Sequence, residues 1–158
     1  MSAMSSYTIE RDIEIDAPVD LVWRTITEPD LIRTWFSDVA DVDATPGAVG
    51  SLTFRADSDD PHVVGITVVA ADRPHRFSFR WVYPPGEQAS ETNSTLVTFT
   101  LVADGDERTR LRVVESGLDR MEMSEEEKRE FFEQHRHGWQ VQGDRLRDRF
   151  AAGPAPAR

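Results

Sequence analysis

The feature that most constrains this chain lies near its C-terminal end. Ser124-Glu125-Glu126-Glu127 has the S-x-x-E form of a capping box. The serine hydroxyl accepts from the amide three residues on, and the glutamate reaches back to the serine amide, so two otherwise unpaired donors of a helix start are satisfied. The acidic side chains also complement the positive end of the helix dipole. Beyond the box, Phe131, Phe132, His135, Trp139, Leu146 and Phe150 fall near one helical face. About 26 residues at ~1.5 Å rise predict a helix roughly 40 Å long. Gly138 and Gly143 lie inside it, each costing about 1 kcal/mol relative to alanine. Close approach of a sheet or a ligand would offset that cost.

A helix of this length needs an apolar surface to lie on, and the preceding residues read as strands. Tyr7, Ile9, Ile13 and Ile15 alternate with polar residues, as one wet-faced antiparallel strand requires. Asp16-Ala17-Pro18 starts a short helix carrying Val19, Val22, Trp23 and Ile26, and Thr27-Glu28-Pro29 ends it. A second short helix presents Leu31, Ile32, Trp35 and Phe36. Strands follow over Asp38–Asp43, Ala48–Arg55, His62–Ala71, His75–Tyr83, Ser94–Ala103 and Thr109–Ser116, separated by turn residues such as Asp104-Gly105. Phe77, Phe79, Trp81 and Tyr83 share one face of a single strand. The sum is an α+β domain with an antiparallel sheet of about six to seven strands curled around the long helix. It is predicted to span residues 7–150 as one domain, with residues 1–6 and 151–158 as flexible ends.

Composition removes several classes of function. Cysteine is absent from the 158 residues, so disulfides, thiolate metal sites and cysteine nucleophiles are excluded. Acidic residues outnumber basic ones 29 to 18, for a net charge of −11, which disfavours nucleic acid as a partner. No apolar run approaches the roughly 18–20 residues of a membrane helix. The first residues lack the basic and apolar regions of a signal peptide, so the expected location is the cytoplasm. Asp57, Asp59 and Asp60 lack the glycine and distal glutamate of a calcium loop, and no other metal or cofactor is expected.

Four short segments carry a family resemblance. Ala17-Pro18 with Val22-Trp23, Thr27-x-Pro29 with Trp35-Phe36, Glu115-Ser116-Gly117 and Gly138-Trp139 occur in the order seen in the family named after the activator of the Hsp90 ATPase. The chain resembles that family, within the START/Bet v 1-like (SRPBCC) superfamily, over about residues 7–150. The resemblance implies a helix-grip fold and an internal pocket for an apolar molecule. Eukaryotic Hsp90 activators pair this domain with a separate chaperone-docking domain. Only about six residues precede the first strand here, so Hsp90 is not expected as a partner.

Candidate ligand-binding residues follow from the interior face and its polar interruptions. The aromatic set is Trp35, Phe54, Phe77, Phe79, Trp81, Phe99, Phe132 and Trp139. Arg11 lies between Ile9 and Ile13 on an apolar strand face, where an unpaired charge costs several kcal/mol. Glu115 shares a face with Leu111 and Val113 on the last strand, which should neighbour the first. The two are therefore candidates to pair and bind the polar end of a ligand; a structural ion pair, or an arginine reaching out to water, is the alternative. His135 shares the helix face of Trp139 and is a candidate general base. No catalytic motif is present. The expected function is to bind a small, largely apolar ligand between sheet and helix. Two alternatives stand beside it. One is an enzyme of the polyketide cyclase, aromatase or hydrolase kind, using Arg11, Glu115, His135 or Tyr83. The other is a protein-interaction module. A homodimer fits the pattern, although no sequence feature demands it.

Overall fold

The structure, a computed structural model, describes residues 7–82 and 85–151. The two ends predicted to be flexible therefore lie, apart from Ala151, outside the described residues, as does Tyr83. Seven strands form one antiparallel sheet: β1 (Ile9–Ile15), β2 (Val39–Asp41), β3 (Val49–Phe54), β4 (His62–Asp72), β5 (Arg76–Val82), β6 (Ser94–Ala103) and β7 (Thr109–Ser116). Their order across the sheet is β1-β7-β6-β5-β4-β3-β2, so every strand pairs with its sequence neighbour except the first, which closes onto the last. Helices α1 (Val19–Thr27) and α2 (Pro29–Ile32) connect β1 to β2, and the long helix α3 (Glu125–Ala151) follows β7. This is the expected helix-grip arrangement.

Local chemistry accounts for the element ends. The capping box forms as read: the Ser124 amide donates to Glu127 Oε1 at 2.9 Å and the Glu127 amide to Ser124 Oγ at 3.1 Å. Helix α1 stops because Glu28, held extended before Pro29, cannot continue it. Helix α2 is shorter than expected. It ends at Ile32, and two backbone bonds back to Ile32 O, from the Trp35 and Phe36 amides, form the turn that carries both rings inward. The β4–β5 register shifts between Val68 and Ala70, a bulge that leaves Val69 exposed and sharpens the local twist.

The inward residues of β1 and β3–β7 form one core with α1, α2 and α3, in which Phe77, Phe99, Leu101, Leu111 and Leu146 are fully buried. Where α3 meets β1, a Cβ on Gly143 would fall 2.9 Å from Arg11 Nη1 and 2.9 Å from Ile13 Cδ1. Gly143 is thus the close-approach glycine. Gly138 is different: a Cβ there would meet nothing within 4 Å. The outer face of β1 and β7 is a polar ladder, with Arg112 bonded to Glu10 and Asp12. Such exposed pairs contribute little to stability.

Candidate functional site

Between α3 and the β3–β5 end of the sheet lies a cavity of about 250 Å³, open to solvent and lined by Phe36, Phe54, Arg55, His62, Trp81, Gln134, His135, Gly138, Trp139 and Gln142. Three elements build it. The turn after α2 supplies Phe36, stacked on Trp139 at 5.3 Å between ring centroids and edge-on to Phe54 at 5.4 Å. The β3–β4 hairpin and β5 supply Phe54, Arg55, His62 and Trp81, with Phe54 and Trp81 stacked at 5.8 Å. Helix α3 supplies the remainder as two adjacent stripes, Gln134-Gly138-Gln142 and His135-Trp139. The missing side chain of Gly138 leaves the helix wall of the cavity open.

Behind this wall sits Glu115, 2 % exposed and pointing inward from β7. Its carboxylate accepts from Thr95 Oγ1 at 2.6 Å, from Trp139 Nε1 at 2.8 Å and from His135 Nδ1 at 2.9 Å. Burial pushes the Glu115 pKa up, but the His135 ring and the bonds from His135, Thr95 and Trp139 outweigh it, and the net shift is downward. The group is therefore ionised at neutral pH and can only accept. Its partners fix two cavity walls at once, because Trp139 and His135 both line the cavity. His135 is further held by Phe131, stacked at 3.8 Å, and by Trp81, edge-on at 5.2 Å.

Two features of the lining stand out energetically. Arg55 adopts φ 56°, the left-handed region that costs a side-chain-bearing residue about 1–2 kcal/mol. The Trp81 indole nitrogen is buried with no hydrogen-bond partner among the described residues, and an orphaned donor of this kind costs about 1–3 kcal/mol. Trp81→Phe should therefore change the unfolding free energy by less than about 1 kcal/mol, since losing the orphan offsets much of the lost packing. Urea denaturation checks this.

The eleven nominated residues separate clearly. Phe54, Trp81, His135 and Trp139 line the cavity, with Glu115 directly behind. Trp35, Phe77, Phe79 and Phe99 pack deeper, around a void of about 10 Å³, too small for more than a single water. Phe132 packs on Tyr7 at 5.7 Å. Arg11 does not pair with Glu115. The register sets it opposite Val113, while Glu115 faces Ile9. Its guanidinium turns to α3, donating to Gln140 O at 2.6 Å and Asp144 Oδ1 at 2.6 Å. Glu115 is already saturated by three donors, and the helix carbonyls lie closer to hand. Arg11 is thus a clamp between β1 and α3, the structural ion pair that was the alternative reading.

Sequence reasoning missed Phe36, Arg55, His62, Gln134 and Gln142 as lining, and marked Gly138 only as a point of close approach to the sheet or a ligand. The i, i+4, i+8 spacing of Gln134, Gly138 and Gln142 beside His135 and Trp139 was the available signal. A larger concavity of about 780 Å³ occupies the opposite face of the β3–β4 hairpin, lined by Gly47, Gly50, Gly65 and Gly86 among others. Among the described residues it offers no aromatic wall. Among the described residues, no group of three or more His, Asp or Glu could hold a metal, and no helix is long and apolar enough to cross a membrane.

Solved structures place this geometry among known folds. A Mesorhizobium loti protein, MLL2253, is 22 % identical with a TM-score of 0.74, covering 93 % of this chain and 98 % of its own. The Aha1 protein of Colwellia psychrerythraea, solved as a dimer, is 16 % identical with a TM-score of 0.69, covering 89 % and 93 %. DynU16, a protein of the dynemicin biosynthetic locus, is 25 % identical with a TM-score of 0.71; 94 % of this chain matches 48 % of that one. No curated protein sequence matches. The sequence profile described as "Activator of Hsp90 ATPase homolog 1-like protein" matches residues 16–151. The chain therefore belongs to the family of activator of Hsp90 ATPase homologue 1-like proteins.

Proposed function

We infer that this protein binds a small, planar, largely apolar molecule in the cavity between α3 and the sheet. The observation that carries this reading is the aromatic enclosure: Phe36, Phe54, Trp81 and Trp139 wall a space of about 250 Å³. Protein cavities of about 150 Å³ accept benzene, so a substituted ring or a small bicyclic fits here. Polar groups sit among the rings, which is the usual composition of a site that orients its ligand. The family's fold and the likeness to a protein from a biosynthetic locus agree with the same reading.

Gly138 makes the test specific. Gly138→Leu should fold at least as well as the parent, because the added Cβ meets no atom within 4 Å, the cavity lies beyond it, and helix propensity improves by roughly 1 kcal/mol. The same side chain fills the cavity, so affinity for a planar aromatic probe should fall about tenfold or more, equivalent to about 1.4 kcal/mol. Calorimetric titration reads the affinity. Undiminished binding by the folded variant would remove the cavity from consideration. A second reading, an enzyme of the polyketide cyclase or hydrolase kind, is favoured by the His135–Glu115 pair in the cavity wall. Native mass spectrometry with organic extraction separates the two: a carrier releases its ligand unchanged, and an enzyme releases product.

A further inference from the structure

A cavity that only held an apolar molecule would need no carboxylate behind its wall. Burying a charge costs several kcal/mol unless it is well paired, yet Glu115 is 2 % exposed and ionised. What it achieves chemically is to fix a tautomer. An ionised carboxylate only accepts, so His135 Nδ1 carries a hydrogen and donates it at 2.9 Å. In the neutral imidazole the lone pair is then on Nε2, the nitrogen left for the cavity that His135 lines. The ring cannot easily turn away, being stacked on Phe131 and edge-on to Trp81.

The rest of the lining favours negative charge. Among the described residues, its other ionisable members are Arg55 and His62, and no carboxylate lines the cavity, although acidic residues outnumber basic ones 29 to 18. Burial, then the Arg55 charge and the neighbouring His135 ring, hold the His62 pKa below its ordinary value, with Asp60 acting the other way. The three groups thus share one field at the cavity. Asp57, Asp59 and Asp60, in the turn between Arg55 and His62, are exposed to water as Arg55 is, but unlike Arg55 they are not among the lining residues.

We propose that His135 and Glu115 form a proton-accepting dyad for the acidic hydroxyl of a small planar ligand, a phenol or an enol, which the cavity holds as its oxyanion. The ligand O–H bond breaks, its electron pair stays on oxygen, and a new N–H bond forms at His135 Nε2. The imidazolium then lies between two anions, the ligand oxygen and Glu115, while Arg55 adds positive charge from the opposite wall. No other reactant is needed. This rests on the ligand-binding reading of the cavity and adds the chemistry that selects the ligand.

The test titrates 4-nitrophenol through its visible absorbance, free and bound to the full chain, with 4-nitroanisole as the matched ether lacking the hydroxyl. Both probes should bind, and the pKa of the phenol should fall by about one unit or more on binding, a tenfold gain in phenolate. His135→Gln and Glu115→Gln should each abolish the pKa shift of the bound phenol, whereas a purely structural role for the pair would alter affinity and leave the shift in place. In the unmodified protein, the ¹⁵N shifts of the His135 ring should report the hydrogen on Nδ1. An unshifted or raised phenol pKa in the unmodified protein, or a neutral ring protonated at Nε2, overturns the dyad even where the variants fail to fold. So does a shift that persists in a folded variant. Equal binding of both probes without a shift sinks the dyad and leaves the cavity reading standing. Binding of neither probe overturns both.

Discussion

Replacing Glu115 with alanine is expected to lower the unfolding free energy by about 3–5 kcal/mol, read from urea midpoints at neutral pH. Thr95 Oγ1, Trp139 Nε1 and His135 Nδ1 all lose their acceptor. Thr95 and Trp139 are buried and would find no replacement, at about 1–3 kcal/mol per orphaned donor. His135 is half-relieved by its access to the cavity. The void left by the side chain adds to the loss. The same carboxylate fixes a pH dependence. Its folded pKa lies below the ordinary 4.5, so its contribution is fully present above that value and is lost as pH falls through the depressed one. The unmodified protein should therefore lose stability on acidification below about 4.5, and Glu115→Gln should lose less over the same interval. Parallel acid dependence in both would remove Glu115 as the cause.

The second large effect is at Gly143. Gly143→Leu should destabilise by about 2–3 kcal/mol, because overpacking a filled contact costs about 1–3 kcal/mol and occasionally more. The first added carbon already lies 2.9 Å from both Arg11 Nη1 and Ile13 Cδ1, and the rest of the side chain must displace the guanidinium from Gln140 O and Asp144. Gly143→Ala should destabilise less than leucine: the Arg11 tip and Ile13 Cδ1, each 2.9 Å from the added carbon, must both shift, and the roughly 1 kcal/mol the helix gains in propensity offsets part of that cost. Gly138→Leu, one turn and a little away, carries the same substitution with the opposite expected sign. Thermal melts of the three variants compare the two positions directly. Equal destabilisation by leucine at Gly138 and Gly143 would mean that the space beneath Gly138 is not open.

The architecture was readable because each device is local. The capping box, Pro29, the aspartate–glycine turn and the alternation along β5 each act over a few residues, and β6 and β7 occupy the residues their alternation marks. The site was readable only in part. Trp81, His135 and Trp139 announce themselves as large or polar groups on inward faces. Arg55 and His62 do not, because their place depends on how the β3–β4 hairpin folds over α3, and Arg55 adopts a backbone conformation its residue type does not advertise. Arg11 was assigned to the correct face but the wrong partner. Strand adjacency gave it Glu115; the carbonyls of Trp139 and Gln140, from more than a hundred residues away, took it instead.

The pairing of the first strand with the last has a consequence for how the molecule is made. Strand β1 binds β7 across Ile9↔Glu115 through Ile15↔Thr109, and α3 lies over β1. During synthesis the first strand therefore waits, unpaired, until Thr109–Ser116 has been made, while the hairpins from β3 to β7 can form one after another. Sheet closure is the step of greatest sequence separation and should be the slow one. The cavity exists only after it, when α3 docks, so a ligand meets no partial binding site on a nascent chain. Ligand present during refolding should leave the rate of sheet formation unchanged and slow only the unfolding of the finished protein.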